Sequence, residues 1–125
     1  MINNVVLVGR IVEEPTLRNF DGEYKGVFIT LAINKPFKNF ENKVETDFIK
    51  VALWEGLAEN ACSYCHKGDT IGIRGRLSTK KIEVRLLDSE DVKSIQTIGV
   101  IGERLTFISS ARKKPKDEDV YDDIE

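Results

Sequence analysis

At 125 residues the chain has room for one domain with a real core, but not for two. Its 41% hydrophobic and 32% charged residues describe an ordinary globular protein. No stretch reaches the ~20 apolar residues of a membrane span, and the N-terminus, Met1 to Val5, has neither the basic region nor the cleavage pattern of a signal peptide. A cytoplasmic protein is expected.

Taken alone, the net charge of −2 disfavours a nucleic-acid partner, but its distribution matters more. Residues 1–110 hold 15 Lys+Arg against 15 Asp+Glu and are neutral. The excess acid lies in a tail from Ala111, where Arg112, Lys113, Lys114 and Lys116 precede six carboxylates between Asp117 and Glu125. That tail has too few apolar residues to fold alone. The expected organisation is a domain over 1–110 and a disordered, basic-then-acidic tail over 111–125.

Val5 to Val12 reads as a strand whose first half is apolar on both faces, which places it centrally or against another subunit. Glu13-Glu14-Pro15 ends it, and Asn19-Phe20-Asp21-Gly22 signals a turn. Val27 to Asn34 is a second strand, with Val27, Ile29, Leu31 and Ile33 on one face and Phe28, Thr30, Ala32 and Asn34 on the other. Residues 35–46 read as a polar hairpin loop in which Phe37 and Phe40 alternate with Lys35, Lys38 and Lys43. Either these two rings tuck back onto the sheet or something else covers them.

Asp47 to Trp54 is the third strand, and its faces differ in kind. Ile49, Val51 and Leu53 form an aliphatic face, while Phe48, Lys50, Ala52 and Trp54 share the other. Phe48 and Trp54 lie roughly 20 Å apart at the strand rise, long enough to carry several bases of an extended strand. Rings beside cations suit a single strand, because every base has a π-face and every linkage a phosphate. The competing account makes both faces core, with the Lys50 head reaching out to solvent.

A helix follows from Glu55 to about His66, with Leu57, Ala58, Ala61 and Tyr64 at helical spacing and Gly68 at its stop. Thr70 to about Val84 is a long strand carrying Arg74, Arg76, Lys80 and Lys81, with Gly72 and Gly75 permitting curvature. Leu87 to Asp91 is a loop. Ser94 to Ile108 is the last strand, broken or bulged near Gly99 and Gly102. Five curved strands with one helix between the third and fourth is the order of an all-β OB-fold barrel.

Cys62-Ser63-Tyr64-Cys65-His66 matches a haem-attachment pattern. Haem would need export and an axial ligand, zinc would need two further ligands, and a redox pair would sit at a strand-to-helix junction. The two cysteines are read as ordinary residues in a reducing compartment. No set of residues supports catalysis, and no metal or cofactor is expected.

The chain resembles the bacterial single-stranded DNA-binding proteins of the OB-fold class over roughly residues 1–109. The resemblance is carried by Asn4 to Ile11 with Pro15-Thr16-Leu17-Arg18, Ile29 to Asn34, Asp47 to Trp54 with Leu57-Ala58-Glu59-Asn60, Lys67-Gly68-Asp69, and Ile73 to Leu77. It implies base stacking on Phe37, Phe48 and Trp54. A further aromatic of the family falls near Ile82, a departure for which Phe40 is a candidate substitute. Phosphate contacts are implied for Arg10, Arg18, Lys50, Arg76, Lys80 and Lys81. Lys35, Lys38 and Arg74, on the same loop and strand, complete the candidate set.

The resemblance also implies a homotetramer, a place on the nucleoid and work in replication, recombination or repair. The family often ends in acid followed by Ile-Pro-Phe, which docks partner enzymes. This chain ends Val120-Tyr121-Asp122-Asp123-Ile124-Glu125, so docking of those enzymes is not carried over. A short tail of this kind would suit a phage, plasmid or accessory paralogue. The competing functions are an OB-fold RNA-binding or primosome-type module and a small redox protein using Cys62 and Cys65.

Overall fold

The computed structural model describes residues 1–85, 87 and 90–111. The tail from Arg112 onward and part of the loop at Leu87 to Asp91 lie outside the described residues. The strands are β1 (Val5–Ile11), β2 (Arg18–Phe20), β3 (Tyr24–Lys38), β4 (Val44–Trp54), β5 (Thr70–Arg85) and β6 (Val92–Ser109), and the helix α1 (Glu55–Tyr64) lies between β4 and β5.

They form one sheet in the order β1-β5-β6-β4-β3-β2, and a β1–β3 pairing at Arg10↔Ala32 and Ile11↔Leu31 closes it. β4 and β6 run parallel where Val51 meets Val100 and Ala52 meets Ile101. This is the expected OB-fold barrel of five long strands, with the helix after the third of them. The short β2 is an addition. It arises because the Asp21–Gly22 turn, with both residues at positive φ, folds Arg18–Phe20 back onto Tyr24–Gly26.

The barrel interior follows from strand alternation. Val27, Ile29 and Leu31 from β3 meet Val51 and Leu53 from β4, Ile71 and Ile73 from β5, and Ile11 from β1, all buried. Ala58, Ala61 and Cys65 bring the helix against the same core. Two glycines allow the strands to curve this tightly. A Cβ on Gly75 would lie 2.0 Å from the Ile101 carbonyl oxygen, and one on Gly102 would lie 2.3 Å from Leu53 Cδ2. The expected irregularity of the last strand falls at Gly102, where one step on β5 from Arg74 to Gly75 matches two on β6 from Arg104. At Gly99 the pairing with β5 runs unbroken.

Three local expectations are corrected. Residues 35–46 are not mainly a loop. β3 runs to Lys38 and β4 starts at Val44, so the segment is a two-stranded ribbon with a turn at Asn39–Lys43. The turn is held by Asn39, whose Oδ1 accepts the N–H groups of Glu41 and Lys43. Its polar composition hid a segment whose backbone groups are satisfied by pairing.

The helix ends at Tyr64 rather than near His66. The Cys65 N–H closes the last turn onto the Ala61 carbonyl, and the next N–H, of His66, is taken by the Asp69 carboxylate at 2.8 Å. Gly68, at φ 91°, turns the chain into β5. Tyr64 is exposed, and Cys65 takes the core position expected of it, one helical turn beyond Ala61.

Candidate nucleic-acid interface

The outward face of β4 is solvent-accessible as well as aromatic. Phe48 is 66% exposed and Trp54 37% exposed, while Val51 and Leu53 on the other face are buried. The account in which both faces are core does not hold. The register with β3 adds an order that composition does not reveal. Trp54 pairs with Gly26, Ala52 with Phe28, Lys50 with Thr30, and Phe48 with Ala32. Each ring therefore sits across from a glycine or an alanine, and each keeps an open face.

The Gly26–Trp54 pair is the tightest of these. A Cβ on Gly26 would lie 2.7 Å from Cε3 and Cζ3 of the indole, so the ring lies directly on the glycine backbone. Trp54 also stands at a sharp corner. Its own backbone is extended, and Glu55, which opens the helix, takes φ 54°. That value is uncommon for a residue with a side chain. The chain turns there from strand to helix and leaves the indole at the strand's end.

Phe37 and Phe40 lie on the ribbon and do not tuck back onto the sheet. Both are exposed, Phe40 at 98%. Phe37 lies near the end of β3 and Phe40 in the turn beyond it.

The β5–β6 arm makes the opposite wall. Ser78, Lys80, Thr97 and Gly99 line a groove of about 490 Å³ together with Phe48, Lys50, Ala52 and Trp54 of β4 and, beyond β4, Phe28 of β3. A second groove, of about 470 Å³, reaches Phe48 from its other side and is lined by Arg10, Asn34, Thr46 and Thr70. Ile82, opposite Ile95 on the arm, leaves that part of the wall aliphatic.

The basic candidates are not equivalent. Lys50 and Lys80 line the aromatic groove, and Arg10 lines the one beside Phe48. Lys35 is held 2.6 Å from Asp47, whose hydrogen bond and charge push its pKa above the usual 10.5. Arg76 Nε lies 3.4 Å from the Glu103 carboxylate. Arg74 pairs with Val6 on one side and Arg104 on the other and is not in the lining of either groove. Arg18 lies on β2, Lys38 at the end of the ribbon and Lys81 on the arm.

Phe20 and Phe28 are missing from the set legible in the sequence. Phe20 looked like part of a turn, and Phe28 like one alternate residue of a strand. The three rings of Phe20, Phe28 and Trp54 meet edge to face, with centroids 5.1 to 6.5 Å apart. Alternation along β3 separates Phe28 from Val27, Ile29 and Leu31, but its nearness to Trp54 depends on the β3–β4 register.

The cysteine motif has a different environment from a reactive pair. Cys65 is fully buried and both thiols are free. Burial raises both above the usual 9.0, and Asp69 adds to the rise at Cys65. Reactive thiols are shifted the other way. The His66 ring is engaged through Nδ1, 2.9 Å from Glu14. Among the described residues no group of three or more His, Cys, Asp or Glu side chains could hold a metal ion. No helix among them is long and apolar enough to cross a membrane.

Comparison with known proteins places this geometry in a family. The model of the single-strand binding protein family matches residues 2–106. Single-stranded DNA-binding protein B of Bacillus subtilis is 32% identical over 118 residues, covering 94% of this chain and 97% of that protein. Single-stranded DNA-binding protein 3 of Listeria innocua is 36% identical over 110 residues, and the match spans 88% of this chain but 66% of that longer protein. A solved structure of the Plasmodium falciparum SSB in complex with ssDNA shares the fold. Its TM-score is 0.70 at 23% identity, covering 87% of this chain and 96% of that one. Fold, family model and relatives agree, and the chain belongs to the single-strand binding protein family.

Proposed function

We propose that this protein binds single-stranded DNA without regard to sequence. Bases stack on Phe37, Phe48 and Trp54, with Phe40 extending the row at the ribbon tip. Phosphates are taken by Lys50, Lys80 and Arg10, which stand beside the rings, and by Arg18, Lys38, Arg76 and Lys81 further along the path. Lys35 joins when Asp47 gives it up, and Arg74 serves strands that wrap beyond the grooves.

The observation that carries this reading is the pair of exposed rings on β4, Phe48 across from Ala32 and Trp54 across from Gly26, in a groove that Lys50 and Lys80 also line. Such a surface accepts any base by its π-face and any linkage by its charge. The work is protective binding in replication, recombination or repair in the cytoplasm, on the nucleoid, and not catalysis. The domain is residues 1–110, and the charged segment from 111 is a tail outside it.

A homotetramer fits β1. Val6 and Val8 are exposed on its outward face, and along Val5–Gly9 only one edge of the strand is paired, to β5. That strand offers both an apolar patch and a free edge to another copy.

Trp54 is the only Trp in the chain, and it makes the test direct. Titration with oligo-dT should quench its emission, and oligo-U should bind no tighter. Tight binding with no change in emission would remove Trp54 from the path. A clear preference for oligo-U would favour an RNA-binding module that uses the 2′-hydroxyl.

A further inference from the structure

Phe28 stands on the outward face of β3 with 44% of its surface exposed, and it lines the groove on the side of β4 away from the β5–β6 arm. Its neighbours hold it without covering it. Phe20 meets it edge-on at 5.9 Å with the planes at 89°, and Trp54 meets it at 6.5 Å and 76°. In edge-to-face contact one ring lends its rim to another's face, so such a cluster fixes ring planes while leaving faces free. Ala52, the residue paired with Phe28 on β4, is too small to shade it.

What does lie over the ring is a cation. The Lys50 ammonium sits 5.6 Å from the ring centroid, within the range of a cation–π contact. Lys50 has no ion pair among the described residues, and a phosphate oxygen would hold its ammonium more strongly than a ring face does. Lys80, from β5, lines the same groove. The groove thus holds aromatic rings together with two ammonium groups. Flat, uncharged bases joined by anionic linkages match that pattern. An apolar peptide would leave the two ammonium groups unanswered.

We propose that Phe28 is an additional base-stacking platform, covered by Lys50 in the free protein and uncovered when Lys50 moves to a phosphate. This rests on the single-strand-binding reading and enlarges its site. The stacked row then runs Phe48, Phe28, Trp54 across two strands, which shortens the step between platforms on β4 alone.

The test uses the full chain and oligo-dT at several salt concentrations. Phe28→Leu keeps an apolar side chain but removes the π-face, and should weaken binding roughly 5- to 150-fold, the range for one lost stacking partner. Its salt slope should stay that of the parent, and Phe28→Tyr should restore the affinity. Lys50→Met should instead flatten the slope by about 0.7, one phosphate contact on a single strand. Photocrosslinking of the unmodified protein to iododeoxyuridine oligomers should recover a peptide joined at Phe28, a readout independent of any variant's folding. Affinity of Phe28→Leu within twofold of the parent would overturn the proposal, as would crosslinks at Phe48 and Trp54 with none at Phe28. Failure of the unmodified protein to bind oligo-dT would instead overturn the single-strand-binding reading itself.

Discussion

The two faces of β4 make opposite demands, and two substitutions three residues apart separate them. Val51 is fully buried. Val51→Ala removes the equivalent of two methylene groups, each about 0.8 kcal/mol of transfer free energy. The cavity adds to this where the walls do not collapse. The walls here are paired strands, so a cost of about 2–3 kcal/mol is expected. For a domain of this size that lowers the melting temperature by about 9–13 °C.

Phe48 is 66% exposed, so only about a third of its burial energy is at stake. With about 1.5–3 kcal/mol for a fully buried Phe, Phe48→Ala should cost about 0.5–1 kcal/mol of stability. Its effect on oligo-dT affinity should be larger, about 1–3 kcal/mol, the range general to stacking platforms in single-strand-binding proteins. Thermal melting and oligo-dT titration of both variants read the two quantities separately. The face assignment would be falsified if Phe48→Ala cost more than Val51→Ala in stability while the folded fraction kept its affinity.

Gly26→Ala places a methyl 2.7 Å from the Trp54 ring and should cost about 1–3 kcal/mol as overpacking. The displaced indole should also shift the emission of the free protein, and an unchanged spectrum would show that the ring does not rest on Gly26. Asp47→Asn frees Lys35 from its ion pair. Stability should hardly change because the pair is exposed, while oligo-dT binding should tighten at low salt with a slope steeper by about 0.7. An unaltered slope would mean that Lys35 meets no phosphate.

Glu14 accepts the Lys67 N–H and contacts the His66 ring, and both hold its carboxyl below the usual 4.5. A folded-state pKa below the unfolded one gives stability that is present above 4.5 and lost as the pH falls through the lowered value. The melting-temperature gap between the parent and Glu14→Gln should therefore be open at pH 7 and narrow in acid. A gap of constant width would contradict the assignment.

Strand periodicity is a property of the chain read along its own length. That is why Ile49, Val51 and Leu53 could be separated from Phe48, Lys50 and Trp54 before any partner strand was known. The same holds for the order of long strands and helix, and for the separation of Phe28 from Val27, Ile29 and Leu31. Barrel closure and strand register are not properties of that kind. The 35–46 segment is rich in Lys, Asn and Glu and reads as a loop, because nothing local shows that Lys38 will pair with Val44 across a turn built on Asn39.

The helix read too long for a related reason. The carboxylate that takes the His66 N–H belongs to Asp69, itself buried by the return of β5. Lys35 and Arg76 look like free cations in one dimension. In the fold each is held by a carboxylate brought from elsewhere in the sequence, Asp47 and Glu103. The Phe20–Phe28–Trp54 cluster was invisible for the same cause. Its rings come from three strands, and Trp54 can approach the other two only because the β3–β4 register sets Gly26, which has no side chain to stop it, beneath the indole.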